Sequence, residues 1–177
     1  MTTVRTGPKE KSSITMRAIW DLDSKINAIR TSFSAVTGAK LAFYETAELL
    51  VDGTWSSWPD LPIRLFTDNQ QLLSIAWSRF EDLWIATDLS LPFSVEGSTV
   101  RWVRNSIAKL DPVIGKPIGS VMIGRGQMSL GDREIEIWTR LLIEVGNSWM
   151  EIFNALDENG YDFHLQRPEG TFLPCIA

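Results

Sequence analysis

Cysteine and histidine are almost absent from this sequence of 177 residues, which contains one of each. With Cys175 alone, no disulfide can form within the chain, and a zinc site made of thiolates is excluded. A zinc site made of imidazoles is excluded as well, because it requires several histidines and only His164 is present. We therefore predict no metal site and no cofactor.

Long apolar runs are missing too. Residues 1–13 are polar and contain Gly7 and Pro8, so we interpret them as a flexible tail and not as a secretory signal. No segment reaches the roughly 20 apolar residues that a membrane-spanning helix requires. We expect a single β-rich domain over residues 14–177, located in the cytoplasm and independent of membranes.

Motifs of the common catalytic classes are absent. His164 is the one candidate general base, it precedes a predicted C-terminal tail, and no serine lies in a Gly-x-Ser-x-Gly elbow. The Gly-Arg-Gly sequence at residues 124–126 lacks the third glycine of a dinucleotide fingerprint, so a bulge or a tight turn explains it better. Glu134 and Glu136 lie side by side on one predicted strand, whereas a glycosidase needs carboxylates on opposite sides of a bond. We predict no catalytic residue and no enzyme.

Tryptophan, by contrast, is abundant, with eight residues spread from Trp20 to Trp149. The indole ring suits a core and an interface equally. The composition is otherwise that of an ordinary globular domain, with 44% hydrophobic and 22% charged residues. Most of the tryptophans are therefore expected in the core.

The net charge of −5 is unevenly distributed. Residues 1–40 have a net charge of +4, residues 41–130 of −3 and residues 131–177 of −6. An acidic surface repels phosphate backbones, so we predict no binding of nucleic acid by the C-terminal part. The same surface favours a basic protein partner and accelerates the encounter with it.

Alternation of apolar and polar residues predicts a domain of the α+β class, mainly antiparallel β, with about eight strands. The clearest strand is residues 134–145, where every second residue from Ile135 to Val145 is expected to face the core. A turn at residues 146–147 and a return strand follow. The predicted return strand covers residues 149–156, and further strands are predicted at residues 25–33, 63–68, 72–77, 83–87, 100–104 and 161–165. Residues 41–51 fit a strand or a helix equally, residues 14–21 fit a short helix, and residues 55–60 are predicted to form a loop.

Two pairs of similar segments occur in the same order along the chain. Residues 25–29 resemble residues 116–121, and residues 64–68 resemble residues 140–144. They predict a tandem repeat of two strand–loop–hairpin units, over residues 22–90 and 108–165. The alternative is that two unrelated amphipathic hairpins look alike at this level.

Carboxylates and aromatic residues are interleaved in the acidic C-terminal part, and this arrangement predicts a protein-binding face. The loop over residues 55–60 is a second candidate. Alternatively, Trp138 faces a second layer of structure, the acids serve solubility, and the loop tryptophans cover the core. The candidate residues are Glu134, Glu136, Trp138, Glu144, Glu151, Asp157, Glu158 and Tyr161 on the acidic face, with Trp55 and Trp58 in the loop.

Residues 134–161, with an Ile-Trp-Thr-Arg-Leu-Leu-Ile core and an Asn-Ala-Leu-Asp-Glu-Asn-Gly-Tyr end, resemble sequence of bacterial immunity proteins. The general properties of the chain, which is small, acidic and poor in cysteine, are similar to those of the same class. This resemblance implies an inhibitor that neutralises a polymorphic or contact-delivered toxin by occluding its active site. No binding residue and no oligomeric state follow from it.

Two other functions remain open on the sequence. One is a structural or adaptor subunit of a protein complex, which needs only a complementary surface. The other is an enzyme of unfamiliar type, which a deep pocket gathering Ser, Asp or Glu side chains would favour.

Overall fold

The computed structural model describes residues 19–177, except for the side chain of Leu130. The predicted tail at residues 1–13 lies outside these residues, as does most of the predicted helix at residues 14–21. The described chain is mainly antiparallel β with one α-helix, which confirms the predicted class. Its elements are α1 (Leu22–Phe33), β1 (Leu41–Val51), β2 (Thr54–Ser57), β3 (Ile63–Thr67), β4 (Leu72–Ser78), β5 (Asp82–Ala86), β6 (Val100–Arg104), a 3-10 helix (Ala108–Val113), β7 (Ile118–Leu130), β8 (Arg133–Val145), β9 (Ser148–Asn154), β10 (Asn159–His164) and β11 (Phe172–Ile176).

Helix α1 occupies residues that were predicted to form a strand, so that prediction was wrong. The Asp21 side chain accepts a hydrogen bond from the Ser24 amide at 2.8 Å and caps the helix. Lys25, Ile29 and Phe33 are spaced four residues apart and lie buried on one face of the helix. Helical spacing of the buried residues therefore overrides the short local alternation.

The strands form two antiparallel sheets. In the first sheet, β1 pairs with β6 along one edge and with β3 and β2 along the other, and β4 and β5 continue beyond β3. In the second sheet, β7 pairs with β11 along one edge and with β8 along the other, and β9 and β10 continue beyond β8. In both sheets a long strand therefore starts an antiparallel meander, and the last strand returns to the free edge of the long one.

The shared strand order bears on the two segment pairs found in the sequence. Residues 64–68 start in β3 and residues 140–144 lie in β8, which occupy corresponding places in their sheets. Residues 25–29 lie in α1, whereas residues 118–121 of the other segment form the start of β7, so that correspondence was wrong. The tandem repeat stays a prediction.

The inner faces of both sheets pack with α1 into one hydrophobic core, which includes Trp77 and Tyr44. The Trp77 indole N–H donates to the Ile152 carbonyl at 3.0 Å, and the Trp77 amide donates to Asn159 Oδ1 at 2.8 Å. The Asn159 amide group donates in turn to the Leu61 carbonyl at 2.9 Å. These buried hydrogen bonds fix the position of one sheet against the other.

Most predicted strands are present, with shifted ends. Residues 100–104 form β6, and residues 41–51 form β1 and not a helix. The described chain has eleven strands, more than the predicted eight. The prediction missed β2, which overlaps the expected loop, and the part of β7 from Gly124 onwards. It also missed β11, where Cys175 is buried and not part of a tail.

A β-bulge in β8 overturns the predicted face of residues 134–145. Gly124 pairs with Arg140 and the next residue, Arg125, pairs with Trp138, so Thr139 is an extra residue in β8. An extra residue reverses the faces of the strand beyond it. Residues 141, 143 and 145 face the core as predicted, but Trp138 packs against the core in place of Ile137.

Candidate functional site

A groove crosses the outer face of the second sheet, the face turned away from the core. It consists of two adjoining cavities of about 510 and 600 Å³, which share Arg140 and the segment from Gly126 to Met128. The second cavity also reaches residues on the other side of these strands, among them Arg125 and Glu134. We call it the outer groove. Its first cavity is lined by Phe80, Gly126, Gln127, Met128, Ile137, Thr139, Arg140, Glu151, Phe153, Asn154, Leu156, Asp157, Asp162 and His164.

The bulge at Thr139 creates the apolar floor of the outer groove. Because it reverses β8, Ile137 and Ile135 turn away from the core and line the two cavities. The Thr139 side chain lies over Gly126, where a Cβ atom would collide with the threonine hydroxyl. Glycine at position 126 therefore allows β7 and the bulged strand to approach closely.

A charged cluster closes the middle of the outer groove. The Glu151 carboxylate is only 4% exposed, and it accepts from Arg140 Nε at 2.5 Å. His164 Nε2 lies 2.7 Å from the other carboxylate oxygen. The Arg140 guanidinium lies over the Phe172 ring at 4.8 Å. The side chains of Arg140 and Glu151 are therefore both held in place. A buried carboxylate with two partners is a rigid polar anchor in the outer groove.

Two hairpin tips, one from each sheet, meet at the far end of the outer groove. Asp157 Oδ1 accepts from the Phe80 amide at 2.5 Å, and the Asn154 side-chain amide donates to the Phe80 carbonyl at 2.5 Å. Phe80 and Leu156 both adopt positive φ angles, of 58° and 61°. Their side chains are 64% and 98% exposed. Large apolar side chains held in solvent by strained turns are typical of a binding surface.

Three of the predicted carboxylates lie at the outer groove. Glu151 and Asp157 line its first cavity, and Glu134 lines the second. Glu136 lies next to Arg125 at 4.0 Å, and alternation places it on the same side of β8 as Trp138. Glu158 is exposed in the turn before β10.

The remaining candidates of the acidic face have structural partners. Trp138 packs against the core, and its carbonyl accepts from Lys25 Nζ at 3.0 Å. The Glu144 carboxylate accepts from the Ser120 amide at 3.2 Å, where β7 contains a second bulge. Tyr161 packs against the core, and its burial raises the pKa of the phenol. The structure therefore favours the alternative in which Trp138 faces a second layer.

Trp55 lies in β2 and Trp58 directly follows that strand, and neither lines the outer groove. The Arg101 guanidinium lies over the Trp55 ring at 4.3 Å. The Trp58 indole N–H donates to Asp60 Oδ2 at 2.8 Å, and its ring contacts Phe93 at 5.9 Å between centroids. Trp58 lines a small cavity together with Tyr161, but the structure does not bring either tryptophan together with the predicted carboxylates.

Sequence reasoning missed Phe80, Phe153 and Leu156, which form the apolar part of the site. Phe153 was within a predicted strand, but its outward direction depends on the sheet. Phe80 and Leu156 are in hairpin turns, and nothing in their sequence indicates a positive φ angle or a shared position. His164, the one candidate general base in the sequence, is hydrogen-bonded to Glu151.

No protein-family model matches the sequence, and searches of characterised proteins and of solved structures find no significant match. Over residues 19–177, no helix is long and apolar enough to cross a membrane. The same part of the chain contains no group of three or more His, Cys, Asp or Glu side chains placed to hold a metal ion.

Proposed function

We propose that the protein is a non-catalytic binding protein that engages a basic protein partner through the outer groove. The observation that carries the proposal is the pair of exposed apolar side chains, Phe80 and Leu156, beside the carboxylates Asp157 and Asp162. Apolar anchors with a charged rim are the usual anatomy of a protein interface. The rim is acidic, and residues 131–177 carry a net charge of −6, so the matching surface is basic.

The proposed partner is a toxin domain, and the proposed action is occlusion of its active site in the cytoplasm, as in immunity proteins. This part rests on the resemblance of residues 134–161 and on the acidic charge of that region. Occlusion needs only a rigid complementary surface. The bulge, the hairpin-tip hydrogen bonds and the buried Glu151 carboxylate all serve to hold the outer groove rigid.

The test is co-purification of the tagged protein from its native cells, with the Leu156→Glu variant beside it. Leu165→Glu is the matched control, because Leu165 is 78% exposed and does not line the outer groove. The expected result is a basic partner in equal amount, toxic when produced alone, that Leu156→Glu no longer retains. A larger assembly without a toxic member would favour the adaptor function. A partner retained equally by both variants would show that the outer groove is not the interface.

Proton-transfer catalysis is a second candidate, favoured by the Glu151–His164 pair inside a cavity of about 510 Å³. A carboxylate bound to an imidazole orients that ring as a general base. In the described part of the chain, however, His164 is not hydrogen-bonded to any serine, threonine or cysteine. Hydrolysis of chromogenic esters or phosphodiesters that His164→Gln abolishes would favour catalysis over binding.

A further inference from the structure

The outer faces of the two sheets carry the same arrangement at corresponding places. Arg64 on β3 stacks over Trp102 of the returning strand β6 at 3.4 Å. Arg140 on β8 stacks over Phe172 of the returning strand β11 at 4.8 Å. In each sheet the arginine follows an interruption of the strand pairing. Arg64 follows the loop before β3, and Arg140 follows the bulge in β8. The part of the chain that covers the outer face of the first sheet therefore indicates what kind of segment fits the outer face of the second.

The outer face of the first sheet is covered by the chain itself. The connection from β5 to β6, residues 87–99, passes over it, with the Leu89 carbonyl accepting from Arg64 Nη2 at 3.1 Å. The Asp88 carbonyl accepts from Ser74 Oγ at 2.8 Å. On the same face Ala76, Trp84 and Ala86 form a buried cluster separate from the main core, each at most 3% exposed.

The corresponding connection in the second sheet is too short to give the same cover. It contains seven residues, 165–171, where the first sheet has thirteen. It passes beside Arg140, because Gly170 lies next to the Arg140 guanidinium, and the Thr171 carbonyl accepts from the Arg125 amide at 2.9 Å. Beyond it, no segment within residues 19–177 covers the apolar side of the outer groove, where Leu156 is 98% exposed.

We infer that the outer groove binds a linear segment of the partner polypeptide, laid across the second sheet as the irregular connection of residues 87–99 lies across the first. This inference rests on the proposed function, and it names the part of the partner that enters the site. The segment carries aliphatic or aromatic side chains that pack on Ile137, Phe153 and Leu156, with Lys or Arg side chains between them.

Charge sets the chemistry of that segment. The two cavities are lined by five carboxylates and by two guanidinium groups, those of Arg125 and Arg140. Arg140 is paired with Glu151, Arg125 lies 4.0 Å from Glu136, and Lys109 lies 3.7 Å from Asp162, so an excess of negative charge remains at Asp157, Glu134 and Glu169. Basic residues in the segment meet these acids, and acidic residues would be repelled. The outer groove therefore selects an apolar, basic segment against an apolar, acidic one.

The test uses fluorescein-labelled synthetic peptides of twelve residues and fluorescence polarisation. One peptide alternates leucine and arginine, a second alternates leucine and glutamate, and a third alternates serine and arginine. The leucine–arginine peptide is expected to bind about tenfold more tightly than either of the others, which corresponds to about 1.4 kcal/mol. Equal binding of the serine–arginine peptide would overturn the inference, because affinity would then come from charge alone.

Two variants locate the binding. Leu156→Glu is expected to weaken binding of the leucine–arginine peptide about tenfold, and Leu165→Glu is expected to leave it unchanged. Both side chains are mostly exposed, so thermal unfolding should show intact folds. An equal effect of the two variants would overturn the inference. Self-association that Leu156→Glu removes would also overturn it, because the occupant would be a second copy of the chain.

The outcome separates this inference from the proposed function. Capture of a toxic partner through Leu156, with no preference among the peptides, refutes the linear segment and leaves the function standing. Peptide binding that depends on Leu156, with no toxic partner in the native cells, supports the segment and refutes the immunity function.

Discussion

Lys25 joins α1 to both sheets, and its replacement tests how the fold tolerates a buried charge. The side chain has no exposed surface, and its Nζ donates to the Trp138 carbonyl at 3.0 Å. The same Nζ lies 3.3 Å from Glu81 Oε2, in the turn between β4 and β5. The lysine therefore connects the helix to the first sheet and to the bulged strand of the second.

Methionine at this position keeps most of the volume and removes the charge. The hydrogen bond from a charged donor contributes about 1.5–3 kcal/mol. The pair with Glu81, whose side chain is 31% exposed, adds at most about 1 kcal/mol after solvent screening. Burial of the ammonium group opposes both by several kcal/mol. We expect Lys25→Met to change the free energy of unfolding by less than about 2 kcal/mol, and Lys25→Ala, which leaves a cavity, to lower it by about 3–5 kcal/mol.

The pH dependence isolates the buried charge. Desolvation by burial lowers the pKa of Lys25 below its ordinary value of 10.5, against the opposing effect of Glu81. Between the lowered pKa and 10.5 the unfolded chain binds more protons than the folded one, so the stability of the native protein rises with pH. Below that window the folded state carries the full cost of the buried ammonium. Relative to Lys25→Met, the native protein should therefore gain stability as the pH approaches 10.5.

The assay is urea unfolding of both proteins, followed by tryptophan fluorescence at neutral pH and at about pH 10. Lys25→Ala serves as the control for the cavity. A difference between the native protein and Lys25→Met that is flat or falls with pH would refute the argument from desolvation. Equal destabilisation by Met and Ala would show that the charge, and not the volume, holds the elements together.

Three further predictions concern the core, the outer groove and the thiol. Trp77→Phe should lower the free energy of unfolding by about 2–4 kcal/mol, because it removes the hydrogen bond to Ile152 and leaves a cavity; a loss below about 1 kcal/mol in urea unfolding would contradict this. Gly160→Val should displace the Phe153 ring, which lies where the Cβ would be, and weaken peptide binding in fluorescence polarisation; unchanged affinity would show that this ring is not part of the binding surface. At mildly alkaline pH, Cys175 of the folded protein should react with a thiol reagent more slowly than Cys175 of the unfolded chain. Burial raises the pKa of the thiol to about 11, so little thiolate is present. Equal reaction rates would contradict this.

Local periodicity was sufficient wherever a strand has one buried face and no irregularity. Residues 100–104 form β6 as predicted, and the turn at residues 146–147 joins β8 to β9. Periodicity failed at residues 25–33, because Ile26 and Ala28 alternate with polar residues over too few positions to exclude a helix. The capping side chain of Asp21 was the better indication.

The candidate site, too, was predicted from the sequence only in part. The acidic character of residues 131–177 and the carboxylates Glu151 and Asp157 were apparent from the sequence, because charge and residue type do not depend on the fold. The sequence did not show which residues of β8 face the core, because a bulge is a difference in residue count between two paired strands. Thr139 is extra only with respect to β7, and that register exists only in the sheet.

The sequence by itself determined the class of the fold, most of its strands and the sign of its charge, since these depend on neighbours within a few residues. The tertiary structure alone decided that Trp138 enters the core while Ile137 leaves it. It also decided that Phe80 and Leu156 meet at one end of the outer groove, because they are far apart in the chain and are joined only where two hairpin tips touch.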